Sequence, residues 1–405
     1  MNAIITPAKL AGAVRVPASK SAAHRALICA ALADRPTAIR VGALNRDIEA
    51  TLACLAALGA KVGRDGDAIG ITPIRDVPTD ALLDCGESGS TLRFLLPVVC
   101  ALGASAGVVG RGRLPQRPNA ALTDALRTHG AAIDSDRLPM RLSGPITGGL
   151  WMLPGNVSSQ FVTGLLLALP LLREDSEIAL TTKLESAAYV AMTLQALADF
   201  GIRVEPTATG WRVPGGQAYR SPGALEVEGD WSAAAFWHAA NTLGADVRVE
   251  GLNADSVQGD RAVTELLGKA EIDASGVPDL VPALAVAAAS LPQTTVITGA
   301  ARLRLKESDR LATTAAMLEA LGHSCEITPD GLIVRGGAPT PCAEPVRTVD
   351  GANDHRIVMA AAVAAAFADR PVRVTGAEAV DKSYPDFFRD YTMLGGIVHV
   401  EHPGQ

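Results

Sequence analysis

The chain from Leu83 to Arg93 reads LDCGESGSTLR and continues into an apolar run that extends to Leu102. Short apolar residues give way to glycines and serines and then to a helical pattern, which predicts a strand-to-helix turn. Backbone N–H groups at a helix start lack partners within the helix, and glycine lets a ligand approach the main chain closely. Arg93 lies about one helical turn beyond Ser90 and can bind phosphate or carboxylate. The stretch therefore predicts an anion-binding helix start.

Cations also lie at three other predicted helix starts. These are the segments from Val16 to Arg25, from Arg302 to Arg310 and from Asn353 to Arg356. The whole chain nevertheless carries a formal net charge of −7. Positive charge is concentrated at particular places in an acidic protein, which favours small anionic ligands and argues against a nucleic-acid surface.

The bulk composition indicates a globular protein of two or three domains, because the chain has 405 residues of which 48% are hydrophobic. The six cysteines show no metal-ligand spacing and are interpreted as reduced, which predicts a cytoplasmic protein. No targeting segment is evident from Met1 to Val16, and the apolar run Leu280 to Leu291 is too short to span a membrane. His399 and His402 are interpreted as a solvated tail. We therefore expect no metal, no cofactor and no membrane partner.

Six predicted helices end in a glycine that precedes a short strand. Glycine is expected there because it adopts the left-handed conformation without strain. A spacing of 54 to 73 residues between these glycines indicates one supersecondary unit used six times. Within a unit the pattern predicts strand, helix, strand, helix and a hairpin, hence an α/β fold. The glycines are Gly59, Gly130, Gly201, Gly268, Gly322 and Gly395.

Six units are expected to form two domains of three. The pattern resets between Leu225 and Gly229, just before another capped helix start. The strand from Ala3 to Val16 precedes the first cationic helix start, so it is assigned to the other domain. The predicted domains are residues 17–228 and residues 1–16 plus 229–405. We expect their polar helix starts to face a cleft that closes on ligand.

Eight segments along the chain resemble, in order, the motifs of the EPSP synthase (3-phosphoshikimate 1-carboxyvinyltransferase) family. Together they cover nearly the whole chain, and their order makes the resemblance specific. The resemblance implies an inside-out α/β barrel: two domains, each of three βαβαββ units around a pseudo-threefold axis. The segments are Lys20-Ser21 with Arg25, Gly86 to Arg93, Arg113 with Arg117-Pro118, Ser158-Ser159-Gln160, Pro278-Asp279, Lys306 to Arg310, Asp354-His355-Arg356 and Asp381 to Asp386.

The reaction implied by this resemblance is transfer of the enolpyruvyl group of phosphoenolpyruvate to the 5-hydroxyl of shikimate 3-phosphate. Phosphate is released by addition and elimination, in the shikimate pathway that leads to chorismate and the aromatic amino acids. Domain 17–228 would then lie on the shikimate 3-phosphate side, and the second domain would carry much of the phosphoenolpyruvate site. The resemblance also implies a monomer.

The same resemblance assigns the site residues. Shikimate 3-phosphate would contact Lys20, Ser21, Arg25, Ser158, Ser159, Gln160, Ser186, Asp279 and Lys306. Phosphoenolpyruvate would contact Lys20, Gly89, Arg113, Gln160, Arg310, Arg356 and Lys382. We expect Asp279 to accept the hydroxyl proton, Glu307 to exchange a proton at C3, and Lys20 to stabilise the transferring phosphate. The division of labour between the two acids is a hypothesis.

Two positions depart from the family pattern and are left unassigned. Glu87 stands where many relatives have Asn, and Arg302 stands where some relatives have Asn in contact with shikimate 3-phosphate. The presence of Ser90 and Phe94 leaves sensitivity to the inhibitor glyphosate open.

Two other functions are alternatives. The sister enzyme UDP-N-acetylglucosamine 1-carboxyvinyltransferase carries a reactive cysteine in a loop that matches Gly110 to Pro118, and this loop contains none. A non-catalytic binder of phosphorylated metabolites would not need Lys20, Asp279 and Glu307 together. A dinucleotide-dependent oxidoreductase is disfavoured because no G-x-G-x-x-G follows a strand.

Overall fold

The computed structural model describes residues 1–401, so His402 lies outside the described residues. Within them the chain forms two compact units. One comprises Met1–Pro17 and the residues from Gly229 onward, and the other comprises Ala18–Glu228. Each unit has its own hydrophobic core, built largely from alanine, leucine and valine.

The chain begins with two strands of the first unit, β1 (Asn2–Thr6) and β2 (Ala11–Arg15). The Ala18–Glu228 unit then contains six helices: α1 (Lys20–Leu32), α2 (Arg46–Ala57), α3 (Gly89–Ala101), α4 (Ala120–Thr128), α5 (Ser159–Ala168) and α6 (Ala187–Asp199). Its strands are β3 (Thr37–Arg40), β4 (Lys61–Asp65), β5 (Ala68–Thr72), β6 (Ala81–Asp84), β7 (Ser105–Val109), β8 (Ala132–Ile133), β9 (Met140–Ser143), β10 (Gly149–Leu153), β11 (Ser176–Leu180), β12 (Glu205–Pro206), β13 (Gly210–Val213) and β14 (Ala224–Glu226).

These strands form three four-stranded sheets of the same design. Their orders are β14-β3-β5-β4, β6-β7-β9-β8 and β10-β11-β13-β12. Each sheet combines one parallel pair with an antiparallel hairpin, as in the register that places Leu83 opposite Val108. The second and third sheets follow the expected βαβαββ order. The first sheet differs, because its parallel pair is completed by β14, the last strand of the unit.

The remainder of the other unit contains the helices α7 (Trp231–Thr242), α8 (Val263–Leu266), α9 (Val281–Ala289), α10 (Arg310–Ala320), α11 (His355–Ala365) and α12 (Phe387–Met393). Its strands are β15 (Asp246–Glu250), β16 (Glu271–Asp273), β17 (Thr294–Thr298), β18 (Ser324–Ile327), β19 (Leu332–Arg335), β20 (Arg347–Asp350), β21 (Val372–Thr375) and β22 (Ile397–Glu401).

Among residues 1–401, only the sheet β16-β17-β19-β18 of this unit is contiguous in sequence. In the sheet β20-β21-β1-β22 the N-terminal strand β1 lies antiparallel between β21 and β22. The strand β2 pairs in parallel with β15 in a two-stranded sheet. The α/β fold of repeated βαβ units is confirmed, although strands distant in sequence complete three of the six repeats.

Three helices in each unit are buried along nearly their whole length. These are α1, α3 and α5 in one unit and α7, α9 and α11 in the other. They are apolar on all sides, which is typical of helices inside a core rather than on its surface. Most of their polar residues lie in the first two turns, where the candidate site residues are, although α7 also carries His238, Asn241 and Thr242 farther along.

The six repeat glycines each lie two residues beyond the last residue of a helix and have positive φ angles between 73° and 106°. This agrees with the helix ends predicted from sequence. Every helix within residues 1–401 is too short or too polar to cross a bilayer.

Candidate active site

Lys20 is the first residue of α1, and a carboxylate of α2 holds its ammonium. Lys20 Nζ lies 2.8 Å from Asp47 Oδ2, and the two side chains are 14% and 13% exposed. The lysine is therefore oriented by an ion pair while it remains partly accessible. The sequence analysis missed Asp47. Its one indication was a place in the first turn of α2, where a carboxylate complements the helix dipole.

The glycine-rich turn forms as the sequence predicts. Gly86 has a φ of 56°, which lets the chain turn sharply after β6. Ser88 then caps α3, because its Oγ accepts the backbone N–H of Thr91 at 3.2 Å. The first residue of the helix is Gly89.

An arginine lies directly against this helix start. A methyl group added to Gly89 would lie 2.7 Å from Arg117 Nη1 and 3.0 Å from its Cζ. The guanidinium occupies the space that a side chain at this position would fill, so a larger residue would displace it. Arg113, expected from the resemblance to contact phosphoenolpyruvate, is exposed, whereas Arg117 is buried.

Arg93 fixes the orientation of the Gln160 amide. Its Nη1 donates to Gln160 Oε1 at 2.7 Å, and the amide nitrogen of Gln160 donates to Ser90 Oγ at 3.0 Å. Arg93 also donates to Asn119 Oδ1 at 3.1 Å and to the Pro118 carbonyl at 2.9 Å. The start of α5 is thereby tied to α3 and to the segment that follows Arg117.

Arg25 is almost completely buried and donates to several protein oxygens. Its Nε donates to Thr193 Oγ1 at 2.9 Å, and its Nη2 donates to the Tyr189 carbonyl at 2.9 Å. A third bond goes to the carbonyl of Ser21, one turn earlier in α1. Arg25 thus links α1 to the start of α6.

Three further predicted residues of this unit lie at two helix starts. Ser158 caps α5 by accepting the Gln160 N–H at 3.3 Å, and Ser159 is buried at the first helical position. Ser186 precedes α6 with a φ of 54°, an unusual conformation for a residue with a side chain.

In the other unit, one guanidinium joins the two predicted acids. Arg310 is 1% exposed and donates to Asp279 Oδ1 at 2.8 Å and to Glu307 Oε2 at 2.7 Å. It also donates to both oxygens of Asp354, at 2.9 and 3.2 Å, and Asp354 caps α11. Although burial by itself opposes the charge, Asp354 and then Glu307 and Asp279 raise the pKa of Arg310 above its ordinary value. The three carboxylates are therefore held around a permanent cation.

Asp279 lies in a short turn, Pro278–Leu280, directly before α9. Besides Arg310, its carboxylate faces Arg356 Nη2 at 3.0 Å and Lys306 Nζ at 3.5 Å. The Asp279 side chain is 15% exposed. Three cations from different elements thus meet at one partly accessible carboxylate, and all three were predicted site residues.

Lys382 ends the turn Ala377–Lys382 and is buried. Its Nζ donates to the Asn353 carbonyl at 2.6 Å. Asn353 and the preceding Ala352 both have positive φ angles, of 52° and 51°. The lysine therefore fixes the tight turn that leads into α11.

Asp260 is a buried acid that the sequence analysis did not identify. It is 3% exposed and accepts a hydrogen bond from Ser232 at the start of α7. Burial, and then the negative charge of Asp279, raise the pKa of Asp260 to about 7. A lone aspartate after an exposed loop gives no sequence indication of such an environment.

The two unassigned positions have different surroundings. A methyl group on Gly112 would lie 2.4 Å from Glu87 Oε2, so the Glu87 carboxylate packs against the loop that carries Arg113. Arg302 Nη2 donates to the Ser275 carbonyl at 3.0 Å. Among residues 1–401, no group of three or more histidine, cysteine or carboxylate side chains is arranged to hold a metal ion.

The stability of the protein should depend on pH through Asp260. Its folded pKa of about 7 lies above the value near 4 of an unfolded aspartate. Between these two pKa values the folded state therefore binds one proton more than the unfolded state. The stability that this proton contributes is lost as pH rises from about 4 to about 7. Urea unfolding of Asp260→Asn and of the unsubstituted protein measures this effect. The free energy of unfolding of the variant minus that of the unsubstituted protein should be larger at pH 8 than at pH 5.

A matched control for this substitution is Asp246→Asn, because Asp246 is an exposed aspartate of the same unit. Its effect should be the same at both pH values. An Asp260→Asn effect that is also independent of pH would contradict the raised pKa.

Comparison with known proteins identifies the family of the chain. The sequence profile of the family described as EPSP synthase (3-phosphoshikimate 1-carboxyvinyltransferase) matches residues 4–276 and 267–391. The 3-phosphoshikimate 1-carboxyvinyltransferase of Clostridium acetobutylicum is 38% identical over 427 residues, covering 98% of this chain and 99% of the relative. That of Halobacterium salinarum is 40% identical over 429 residues, covering 98% of this chain and 99% of the relative.

Solved structures give the same result. EPSP synthase from Acinetobacter baumannii superposes with a TM-score of 0.81 at 25% identity, covering 99% of this chain and 100% of that chain. The enolpyruvyl transferase NikO from Streptomyces tendae, at 17% identity, shares the fold with a TM-score of 0.78 over 98% of both chains. The profile match over most of the chain and the identity to full-length relatives show that this chain belongs to the EPSP synthase (3-phosphoshikimate 1-carboxyvinyltransferase) family.

Proposed function

We propose that the chain transfers the enolpyruvyl group of phosphoenolpyruvate to the 5-hydroxyl of shikimate 3-phosphate and releases phosphate. The proposal is carried by the Arg310 guanidinium, which holds the carboxylates of Asp279 and Glu307 at 2.8 and 2.7 Å. Two acids amid several cations suit a reaction that moves two protons between two phosphorylated substrates. Membership of the EPSP synthase family supports the same reaction.

Cations at helix starts account for the binding of the two anions. A hydrogen bond to a charged group contributes about 1.5 to 3 kcal/mol, and a helix N-terminus adds about 0.3 to 1 kcal/mol. In the Ala18–Glu228 unit, Lys20 and the Ser158 to Gln160 segment combine these two features. In the other unit, Arg310 is the first residue of α10 and Arg356 is the second residue of α11, so each places a cation at a helix start. We propose that each set binds a phosphorylated substrate.

We further propose that Arg117, rather than Arg113, contacts phosphoenolpyruvate. The Arg117 guanidinium lies against Gly89, so the cation and the backbone N–H groups of the helix start can act on one anion. Arg113 is an exposed residue of the same loop. The packing of Arg117 on the glycine-rich turn therefore favours Arg117 over Arg113 as the contact of phosphoenolpyruvate.

In the addition step, the 5-hydroxyl oxygen bonds to C2 of phosphoenolpyruvate and its proton passes to Asp279. The C2–C3 double bond becomes single as C3 gains a proton from Glu307, which must enter this step as the carboxylic acid. A carboxylate that already accepts bonds from Arg310 and Arg356 is a weak base, so it takes the hydroxyl proton only as the new C–O bond forms.

In the elimination step, C3 returns a proton to Glu307 and the C2–C3 double bond forms again. The bond between C2 and the phosphate oxygen breaks, and the proton held by Asp279 leaves with phosphate. Lys20 stabilises negative charge on the departing group. Its ion pair with Asp47 keeps the ammonium in place before the substrates bind.

The first test is phosphate release from phosphoenolpyruvate by the purified protein with two different acceptors. Release is expected with shikimate 3-phosphate and not with UDP-N-acetylglucosamine. Release with the nucleotide sugar instead would overturn the proposal. Release with neither acceptor, together with measurable binding of shikimate 3-phosphate, would indicate a binding protein that lacks the reaction.

Replacing the proposed base should reduce turnover more than binding. Asp279→Asn keeps the shape of the side chain but removes the proton acceptor, so kcat should fall by about 10²- to 10⁴-fold. The dissociation constant of shikimate 3-phosphate, measured by calorimetry, should change much less. The control Asp255→Asn replaces an exposed aspartate of the same unit and should leave both quantities unchanged. An unchanged kcat for Asp279→Asn would exclude Asp279 as the base.

The two loop arginines can be compared directly. Arg117→Gln removes a charge-assisted contact of about 1.5 to 3 kcal/mol, so the KM for phosphoenolpyruvate should rise about 10- to 100-fold. Arg113→Gln should leave this KM within about twofold of the original, because Arg113 is exposed. Thermal unfolding of both variants controls for loss of structure. The reverse pattern of KM values would assign the contact to Arg113.

A further inference from the structure

A buried chain of side-chain hydrogen bonds runs from α1 through α2 to the start of α3. His24 Nδ1 lies 2.7 Å from Thr51 Oγ1, and Thr51 Oγ1 lies 2.6 Å from Thr91 Oγ1. Thr91 Oγ1 lies 2.7 Å from Oγ of Ser88, the residue that caps α3. All four side chains are inaccessible to solvent. The sequence analysis gave none of these side chains a role beyond helix start or cap.

The direction of the chain follows from the number of protons available. A hydroxyl carries one proton, and that of Thr91 is donated to Ser88 Oγ, with the Asp47 carbonyl at 3.4 Å as a second acceptor. Thr51 must therefore donate its own proton to Thr91. Thr51 Oγ1 can then only accept from His24, so the proton of the imidazole lies on Nδ1.

The surroundings of His24 agree with this tautomer. Burial, followed by the charges of Lys20 and Arg25, lowers the pKa of His24 well below its ordinary value, so the ring is neutral. Among the described residues, Nε2 has no hydrogen-bond partner, and the ring stands perpendicular to Phe94 at 6.3 Å between centroids. A lone pair in apolar surroundings is less costly than a buried donor without an acceptor.

The chain connects groups that we assign to the proposed phosphoenolpyruvate site. Asp47, whose carbonyl accepts from Thr91, holds Lys20 through its carboxylate at 2.8 Å. Ser88 is followed directly by Gly89, against which Arg117 packs. The hydrogen bonds therefore fix the start of α3 relative to the ammonium of Lys20.

We propose that His24 is a positioning residue of this site, which acts by donating from Nδ1 into the chain Thr51, Thr91 and Ser88. The inference rests on the proposed function. The positioning role of His24 requires one N–H at the position of Nδ1, which the amide of asparagine can also supply. Glutamine places its amide at the position of Nε2 instead, and leucine has no donor.

Kinetics of four variants test the proposal. His24→Leu and Thr51→Val break the chain, and the KM for phosphoenolpyruvate should rise about three- to tenfold, the usual effect of one lost hydrogen bond. The KM for shikimate 3-phosphate should change less than twofold. His24→Asn should restore the KM for phosphoenolpyruvate to within about twofold of the original, and His24→Gln should not. Thr51→Val, which matches threonine in shape, guards against misfolding of the His24 variants.

Equal changes in both KM values, or no rescue by asparagine, would overturn the proposal. A further measurement does not depend on activity: ¹⁵N NMR of histidine-labelled protein should show that His24 is neutral and protonated at Nδ1 between pH 5.5 and 8. The signal is assigned by its loss in His24→Asn. Protonation at Nε2 would overturn the inference even in an active enzyme. An inactive protein with the Nδ1 tautomer would instead refute only the proposed function.

Discussion

A buried guanidinium must be paired, and the pairing of Arg310 sets the geometry of the candidate residues around it. Removing a charge from water costs several kcal/mol unless ionic partners with good geometry surround it. Asp354, Asp279 and Glu307 supply those partners from three different segments. Because Asp354 also caps α11, the carboxylate that balances Arg310 fixes a helix start as well. The turn before α9 and the starts of α10 and α11 cannot move independently without exposing or unpairing a charge.

Arg93 is the buried arginine around which candidate residues of the Ala18–Glu228 unit are arranged. Its hydrogen bonds described above go to amide and carbonyl oxygens, whereas those of Arg310 go to carboxylates. These bonds orient the Gln160 amide so that its nitrogen points to Ser90. A buried arginine thus organises each group of predicted residues, in one case by ion pairs with acids and in the other by bonds to neutral acceptors.

The interior helices explain why the site residues lie at helix starts. A helix such as α9, with the sequence VPALAVAAA, is buried on every side and has no place for a charge along its body. Close contact of the helices adds to this constraint, since a methyl group on Gly164 in α5 would lie 2.2 Å from the Arg93 carbonyl in α3. The charged side chains of these helices lie in the first two turns, near the unpaired N–H groups that also favour anions.

The sequence by itself determined the features that depend on local backbone chemistry. The turn at Gly86, the caps at Ser88 and Ser158, and the left-handed glycines that end six helices follow from residues within a few positions. The alternation of strands and helices, and hence the α/β fold, follows from short-range periodicity. The order of the motifs also indicated the family and thus the types of residue in the site.

Only the tertiary structure decided which of these residues meet. The pairing of Lys20 with Asp47, the packing of Arg117 rather than Arg113 on Gly89, and the burial of Asp260 depend on residues from different elements. The strands β1, β2 and β14 likewise pair with strands far away in the chain. A linear pattern shows that a charge is present and that a helix begins, but the partner of that charge is set by packing, because the free energy of a buried ion depends on what surrounds it in three dimensions.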